Sequence, residues 1–334
     1  MMKKLLRLLG YLLAGLATLV AIGGILFAWF VYSPDPELPK LSGTLAKGSI
    51  DVNGLKRSYV TYVPKGLAPG APLVLVMHGS GEDAQQIRID TGYGFERLAD
   101  RHGFAIAYPN SYTFDWNDCS RVGDFKANGR EVDDVGFLTA LTDKLAGEMG
   151  SDRARVFATG VSAGGFMSLR LALEAPARFR AVAAVSANVP APDNFKCQPA
   201  GRDIPVMLMS GTKDPLVPFE GGEVNLLGFF YINGNVLSAR QSGQYFATRH
   251  QISSAPDIVQ GSAGSGVERV HWRQDDKAEV ELVAIHGGGH GMPQPYWRRP
   301  RLLGPSPMDP DGTALIWAFF ARQPAAARLA GNLP

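Results

Sequence analysis

The chain has 334 residues, with 33 Lys or Arg against 31 Asp or Glu, a formal net charge of +2. A balance this close to neutral gives no reason to expect a nucleic-acid partner or a strongly charged one. Hydrophobic residues make up 46% and no repeat or low-complexity tract appears, which excludes a disordered chain and leaves room for one large, well-cored α/β domain.

The N-terminus comes first. Lys3, Lys4 and Arg7 precede residues 8–32, a run with no charge and no proline. As a helix this run spans about 37 Å at about 1.5 Å per residue, enough to cross a hydrocarbon core of about 30 Å with some tilt. Basic residues ahead of it predict a cytoplasmic N-terminus and a translocated C-terminal domain. Tyr11 at one end and Trp29 and Tyr32 at the other suit interfacial aromatic belts. The alternative is a cleaved signal peptide and a secreted product, but Phe27-Ala28-Trp29-Phe30-Val31-Tyr32 supplies no clean small-x-small cleavage site. The organisation read from the sequence is therefore a signal anchor over 1–32, a proline-rich linker over 33–47, a folded domain over 48–322 and a tail over 323–334.

Within the domain, strands are predicted near 57–63, 73–78, 104–108, 155–160, 181–186, 204–209 and 278–285. Helices are predicted near 84–101, 133–149, 163–175, 240–251 and 309–322. Several strands are apolar throughout, and they alternate with helices, so the expected sheet is mostly parallel with helices on both faces. The clearest helix follows Asp133-Asp134: Val135, Leu138, Leu141, Leu145 and Met149 fall on one face, and the two aspartates complement its dipole. Residues 216–242 form a longer connection rich in Gly, Phe and Asn, placed to line a cleft.

The chemistry centres on Ser162 in Gly160-Val161-Ser162-Ala163-Gly164. An apolar strand leads into it and a helix leads out, the context of a nucleophile elbow. Glycine two positions to either side lets the chain turn sharply around the serine. Partners follow in the order acid, then histidine. Asp214 lies in the loop after the strand Ile204-Pro205-Val206-Met207-Leu208-Met209, and His290 lies beyond Gly287-Gly288-Gly289. His286 sits nearer the strand end and is the less suitable base. Upstream, the strand ending at Met77 runs into His78-Gly79-Ser80-Gly81, a loop that would supply one oxyanion donor from the Ser80 region, with Ala163 supplying the other. His78 is expected to orient that loop. No cofactor motif and no metal-ligand spacing is present, so neither is expected. Cys119 and Cys197, an even pair in a translocated domain, are read as a disulfide, with two free buried thiols as the alternative.

These and further stretches resemble the polyhydroxybutyrate-depolymerase-like esterases, which include feruloyl and acetyl xylan esterases. The resemblance rests on Met77-His78-Gly79, on 98–104 running into Tyr108-Pro109, and on Trp116-Asn117-Asp118-Cys119. It continues through 132–137, 158–165, Gly211-Thr212-Lys213-Asp214, 219–222, Gly287-Gly288-Gly289-His290 and 316–320, covering about 48–322. It implies an α/β-hydrolase fold, a Ser162–Asp214–His290 triad and ester hydrolysis through an acyl-enzyme. The family's usual His-Thr-Trp-Pro is replaced here by His290-Gly291-Met292-Pro293, a change beside the leaving-group pocket. Trp116, Asn117 and Phe219 are candidate substrate contacts. Tyr112, Phe114, Phe229 and Phe230 add aromatic surface on which a hydroxycinnamoyl group could stack. The expected substrates are feruloyl- or acetyl-type esters of a polysaccharide or small oligomer. Polyhydroxybutyrate oligomers, a peptide substrate and a catalytically silent anchored binding protein are the alternatives.

Overall fold

A computed structural model describes residues 2–113, 115–122, 126–127, 130–228, 232–261 and 266–323. Phe114, Phe229, Phe230 and the tail from 324 onward lie outside the described residues.

Fourteen strands are described: β1 (Thr44–Val52), β2 (Leu55–Val63), β3 (Leu73–Met77), β4 (Ala105–Pro109), β5 (Lys126–Ala127), β6 (Arg130–Glu131), β7 (Val156–Val161), β8 (Ala181–Val185), β9 (Val206–Gly211), β10 (Gly222–Glu223), β11 (Asn235–Val236), β12 (Asp257–Gln260), β13 (Val267–Trp272) and β14 (Val280–Ile285). Ten of them form one sheet in the order β1-β2-β4-β3-β7-β8-β9-β14-β13-β12. The run from β4 to β14 is parallel, and the two strands at each edge are antiparallel.

Alternation along β3 shows why these runs are apolar at every position. Leu73, Leu75 and Met77 enter one core while Val74 and Val76 enter the other, so neither face meets water. The first core is closed by α4 (Asp134–Met149), α5 (Ala163–Glu174) and α6 (Ala239–Arg249), the second by α2 (Ala84–Asp90), α3 (Gly94–His102) and α7 (Gly312–Ala321). This is the α/β-hydrolase arrangement expected from the sequence. It sets the C-terminal ends of β3, β7, β9 and β14 along one rim.

Four readings need correction. The helix expected over 84–101 breaks into α2 and α3 because Gly92 and Tyr93 take φ of 58° and 55°, outside the helical region. The linker expected over 33–47 ends earlier, since β1 begins at Thr44 and pairs with Val63. Strands β12 and β13 were not anticipated: Glu268, Arg269 and His271 interrupt the apolar pattern of β13, and β12 is exposed throughout. The helix expected from 309 starts at Gly312, where Asp311 accepts from the Ala314 N–H.

The first helix, α1 (Met2–Phe30), buries no residue against the rest of the chain. Among the described residues it is the one helix long and apolar enough to cross a membrane.

Cys119 and Cys197 form a disulfide across 78 residues, joining the loop after β4 to the loop after β8. Closing such a loop stabilises by about 4.5 kcal/mol in the chain-entropy account. Replacing both cysteines by serine is therefore expected to lower the unfolding free energy by several kcal/mol in urea titration. A loss under about 1 kcal/mol would show that the reduced chain is already constrained by other means.

Candidate active site

Ser162 occupies the one-residue gap between β7 and α5, with φ 55° and ψ −122°. That left-handed φ is strained for any residue with a side chain, and neighbouring glycines make it possible. A Cβ on Gly160 would lie 2.4 Å from the Gly164 carbonyl carbon, and one on Gly164 would lie 2.3 Å from Met77 O. The Ser162 N–H donates to Val185 O at 2.9 Å, pinning the turn to the neighbouring strand. The serine thus sits at the N-terminus of α5, the positive end of the helix dipole.

Asp214 follows β9. One carboxylate oxygen, Oδ1, accepts from the N–H groups of Leu216 and Val217, each at 2.9 Å. His290 Nδ1 lies 2.9 Å from Oδ2 and 3.1 Å from Oδ1. Both side chains are shielded from water, at 4% and 1% exposure for His290 and Asp214. An ionised carboxylate only accepts, so Nδ1 carries the imidazole proton and Nε2 is left as the basic nitrogen. The glycine run is required by packing: a Cβ on Gly211 would lie 2.3 Å from Gly288 O. Beyond it the His290 N–H donates to Leu303 O at 2.7 Å, and the Gly291 N–H donates to Ser186 Oγ at 2.8 Å. Ser186, at the end of β8, was not anticipated; its φ of 49° is the only mark it carries. His286 is exposed at the strand end.

A cleft of about 360 Å³ brings Ser162, Ala163, His290, Gly79 and Ser80 to one surface. The loop after β3 is tightly held. His78 is buried; its Nδ1–H donates to Gly79 O at 2.7 Å and its Nε2 accepts from the Ser111 N–H at 3.0 Å. Desolvation lowers its pKa, in keeping with a neutral ring fixed in one tautomer. The Gly79 N–H is engaged by Glu82 Oε2 at 2.8 Å, so of the loop's amides Ser80 is the one better placed to serve the cleft. Its hydroxyl donates to Asp115 Oδ1 at 3.2 Å.

Trp116, Asn117 and Phe219, expected as substrate contacts, are buried and do not line this cleft. Trp116 donates its indole N–H to His78 O at 2.9 Å and packs under the loop. Asn117 donates to Val132 O and accepts from Lys196 Nζ, and its N–H meets Asp134 Oδ2 at 2.8 Å. Phe219 is in the core, where its carbonyl accepts from the Ala239 N–H. These three brace the walls. The cleft wall is aliphatic instead: Leu216, Val217, Val224, Leu226 and Ile232 come from the 216–242 connection, with Phe166 at the base. Met292, which stands where the family pattern has Trp, is buried in the second core.

The cleft is also lined by Glu82, Asp115, Asn233 and Arg299, none of which the sequence pointed to as site residues. Burial, then the nearby Asp90 charge, pushes the Glu82 carboxyl up to about 8. Arg299 is buried and bonded to Asp90 at 2.9 Å. The partners are 209 residues apart, a separation no local pattern reveals. Asp115 is pushed from an ordinary 3.8 up to about 7, by burial first and the Asp118 charge second. A raised carboxyl pKa favours the folded state below pH about 4, and that contribution is lost as pH rises through about 7. Asp115→Asn keeps an oxygen for Ser80 and for the Trp116 N–H. It is expected to raise the melting temperature relative to wild type at pH 8 and to change it little at pH 5. An equal effect at both values would dismiss the ionisation.

Residues 57–217 match the family model described as esterase PHB depolymerase. An inferred esterase, NocK, of Nocardia uniformis subsp. tsuyamanensis is 29% identical over 82% of this chain and 81% of its own. Feruloyl esterase C of Emericella nidulans is also 29% identical, over 83% of this chain and 87% of its own. Among solved structures, an acetyl xylan esterase from Aspergillus awamori superposes with a TM-score of 0.56 at 17% identity, covering 75% of this chain and 94% of that one. That likeness is one of fold. The match to the PHB depolymerase family of esterases runs over residues 57–217, which hold β3, the Ser162 turn and Asp214, and the chain is a carboxylic ester hydrolase.

Proposed function

We propose that the protein is a serine esterase in which Ser162 is the nucleophile, His290 the general base and Asp214 the residue that orients it. The observation that carries this reading is the meeting, at one cleft, of a strained elbow serine and a buried Asp–His pair joined through Nδ1. Ser162 Oγ attacks the ester carbonyl carbon as His290 Nε2 takes its proton. The N–H groups of Ala163 and Ser80 receive the oxyanion. On collapse the His290 proton goes to the departing alkoxide, leaving an acyl group on Ser162. Water, deprotonated by His290, then attacks the acyl carbon and restores the serine. Labelling by a fluorophosphonate separates this from a silent binding scaffold: the expected adduct is on Ser162, and an unlabelled folded protein would reject the reading.

For the substrate we infer feruloyl- or acetyl-type esters of polysaccharides or small oligomers, the classes named for relatives. The aliphatic wall supports a second reading, oligomers of a 3-hydroxyalkanoate, because such a chain is matched by Leu, Val and Ile side chains without an aromatic platform. A hydrolysis screen of feruloyl, acetyl and 3-hydroxybutyrate-oligomer esters decides between them. Helix α1 is proposed as a membrane anchor, with the esterase domain in the periplasm or outside the cell. The full chain is expected to stay in the membrane pellet through carbonate washing; its release would reject the anchor.

A further inference from the structure

The end of α1 is seated on the domain through one loop, 297–309. Trp297 Nε1–H donates to Pro34 O at 2.6 Å, and Ser33 Oγ donates to Arg298 O at 2.5 Å. The Arg301 guanidinium lies 3.6 Å above the Trp29 ring. A groove between helix end and loop is lined by Trp29, Tyr32, Arg298, Arg301, Met308 and Asp309. Arg298 and Arg301 are exposed, and neither guanidinium has a carboxylate partner among the described residues. Arg299 between them is different, being buried on Asp90. Trp and Tyr at the end of a spanning helix sit at the level of the lipid headgroups, so the two unpaired guanidinium groups are held at that level too.

We propose that this loop binds the phosphates of anionic phospholipids in the leaflet from which α1 emerges. The proposal rests on the anchor reading. Guanidinium groups engage phosphate through paired N–H donors. Two arginines against the single carboxylate of Asp309 leave the groove positive, which favours an anionic over a zwitterionic surface. Each basic residue at such a surface is worth about fivefold in binding. The loop's other side belongs to the catalytic cleft. Leu303 O accepts the His290 N–H at 2.7 Å, Pro305 O accepts the Gly289 N–H at 2.6 Å, and Arg299 and Leu303 line the cleft. Headgroup binding thus fixes the segment that carries the histidine and keeps the cleft within one loop's thickness of the membrane surface.

The test uses the full chain in nanodiscs of phosphatidylcholine alone and of phosphatidylcholine mixed with phosphatidylglycerol, with hydrogen exchange read over residues 296–309. The expected result is exchange at least fivefold slower in the anionic discs, weakening as salt is raised. Arg298→Gln with Arg301→Gln should erase the difference, and lysine at both positions should restore part of it. Equal exchange in the two lipids, with the protein still in the carbonate pellet, overturns the headgroup site and leaves the anchor standing. Release by carbonate overturns both. Equal slowing by inorganic phosphate in phosphatidylcholine discs shows a free-anion site and overturns the lipid assignment. Should the double variant fail to fold, the wild-type comparison between lipids, with its salt dependence, decides alone.

Discussion

Ser162→Ala is expected to abolish acyl transfer and leave the fold unchanged. The loss should be on the order of 10⁶ in kcat, the scale seen when a triad nucleophile is removed and only oxyanion stabilisation and binding remain. The fold is expected to survive for a local reason. Ser162 tolerates φ 55° because Gly160 and Gly164 clear the space around the turn, and alanine places the same Cβ in it. The hydroxyl is replaced without loss of the Ser162 N–H bond to Val185 O. The check is kcat on a chromogenic ester beside a melting curve. Activity above about a hundredth of wild type with an unchanged melt would mean that another group attacks the ester.

Much of this site was legible because its parts are local. The elbow is five consecutive residues, and the short apolar strands before Ser162, Asp214 and the 78–81 loop read as buried at every position, the pattern of a sheet covered on both faces. Packing also made the glycines readable, since Gly160, Gly164 and Gly211 each face backbone within 2.4 Å of a would-be Cβ. What stayed hidden was built from distance. Glu82 reaches Gly79, Asp115 reaches Ser80, Arg299 reaches Asp90, and Ser186 reaches Gly291, pairings set by tertiary contact with no periodic signal. Aromatic content misled in the same way. Trp116 and Phe219 look like ligand platforms by residue type, yet they are buried and support the loops that form the cleft. The last two strands were missed because Glu268, Arg269 and His271 interrupt the apolar pattern of β13, and β12, the edge, is short and exposed at every position.

The two histidines after β14 allow a second large effect to be separated from a nearly silent one. His290→Ala is expected to match the Ser162→Ala loss, because members of a triad act as a unit and removing the base disables the nucleophile as fully as deleting it. His286→Ala should change kcat by less than about threefold, a surface-scale effect. The residues are four apart, but the glycines between them send them to different places. His286 is exposed, and its N–H is held by Gly266 O. His290 is shielded, with Asp214 at 2.9 Å on Nδ1 and the Leu303 carbonyl on its backbone N–H. Asp214→Asn tests the same geometry from the other side. An amide at that position can present its NH₂ group to Nδ1, which favours the tautomer with the proton on Nε2 and so removes the base; a loss of about 10⁴ in kcat is expected. Steady-state kinetics on the three variants gives the answer. A dead His286→Ala beside an active His290→Ala would move the base to the strand end, and an Asp214→Asn variant near wild-type rate would mean that the buried pair does not set the imidazole tautomer.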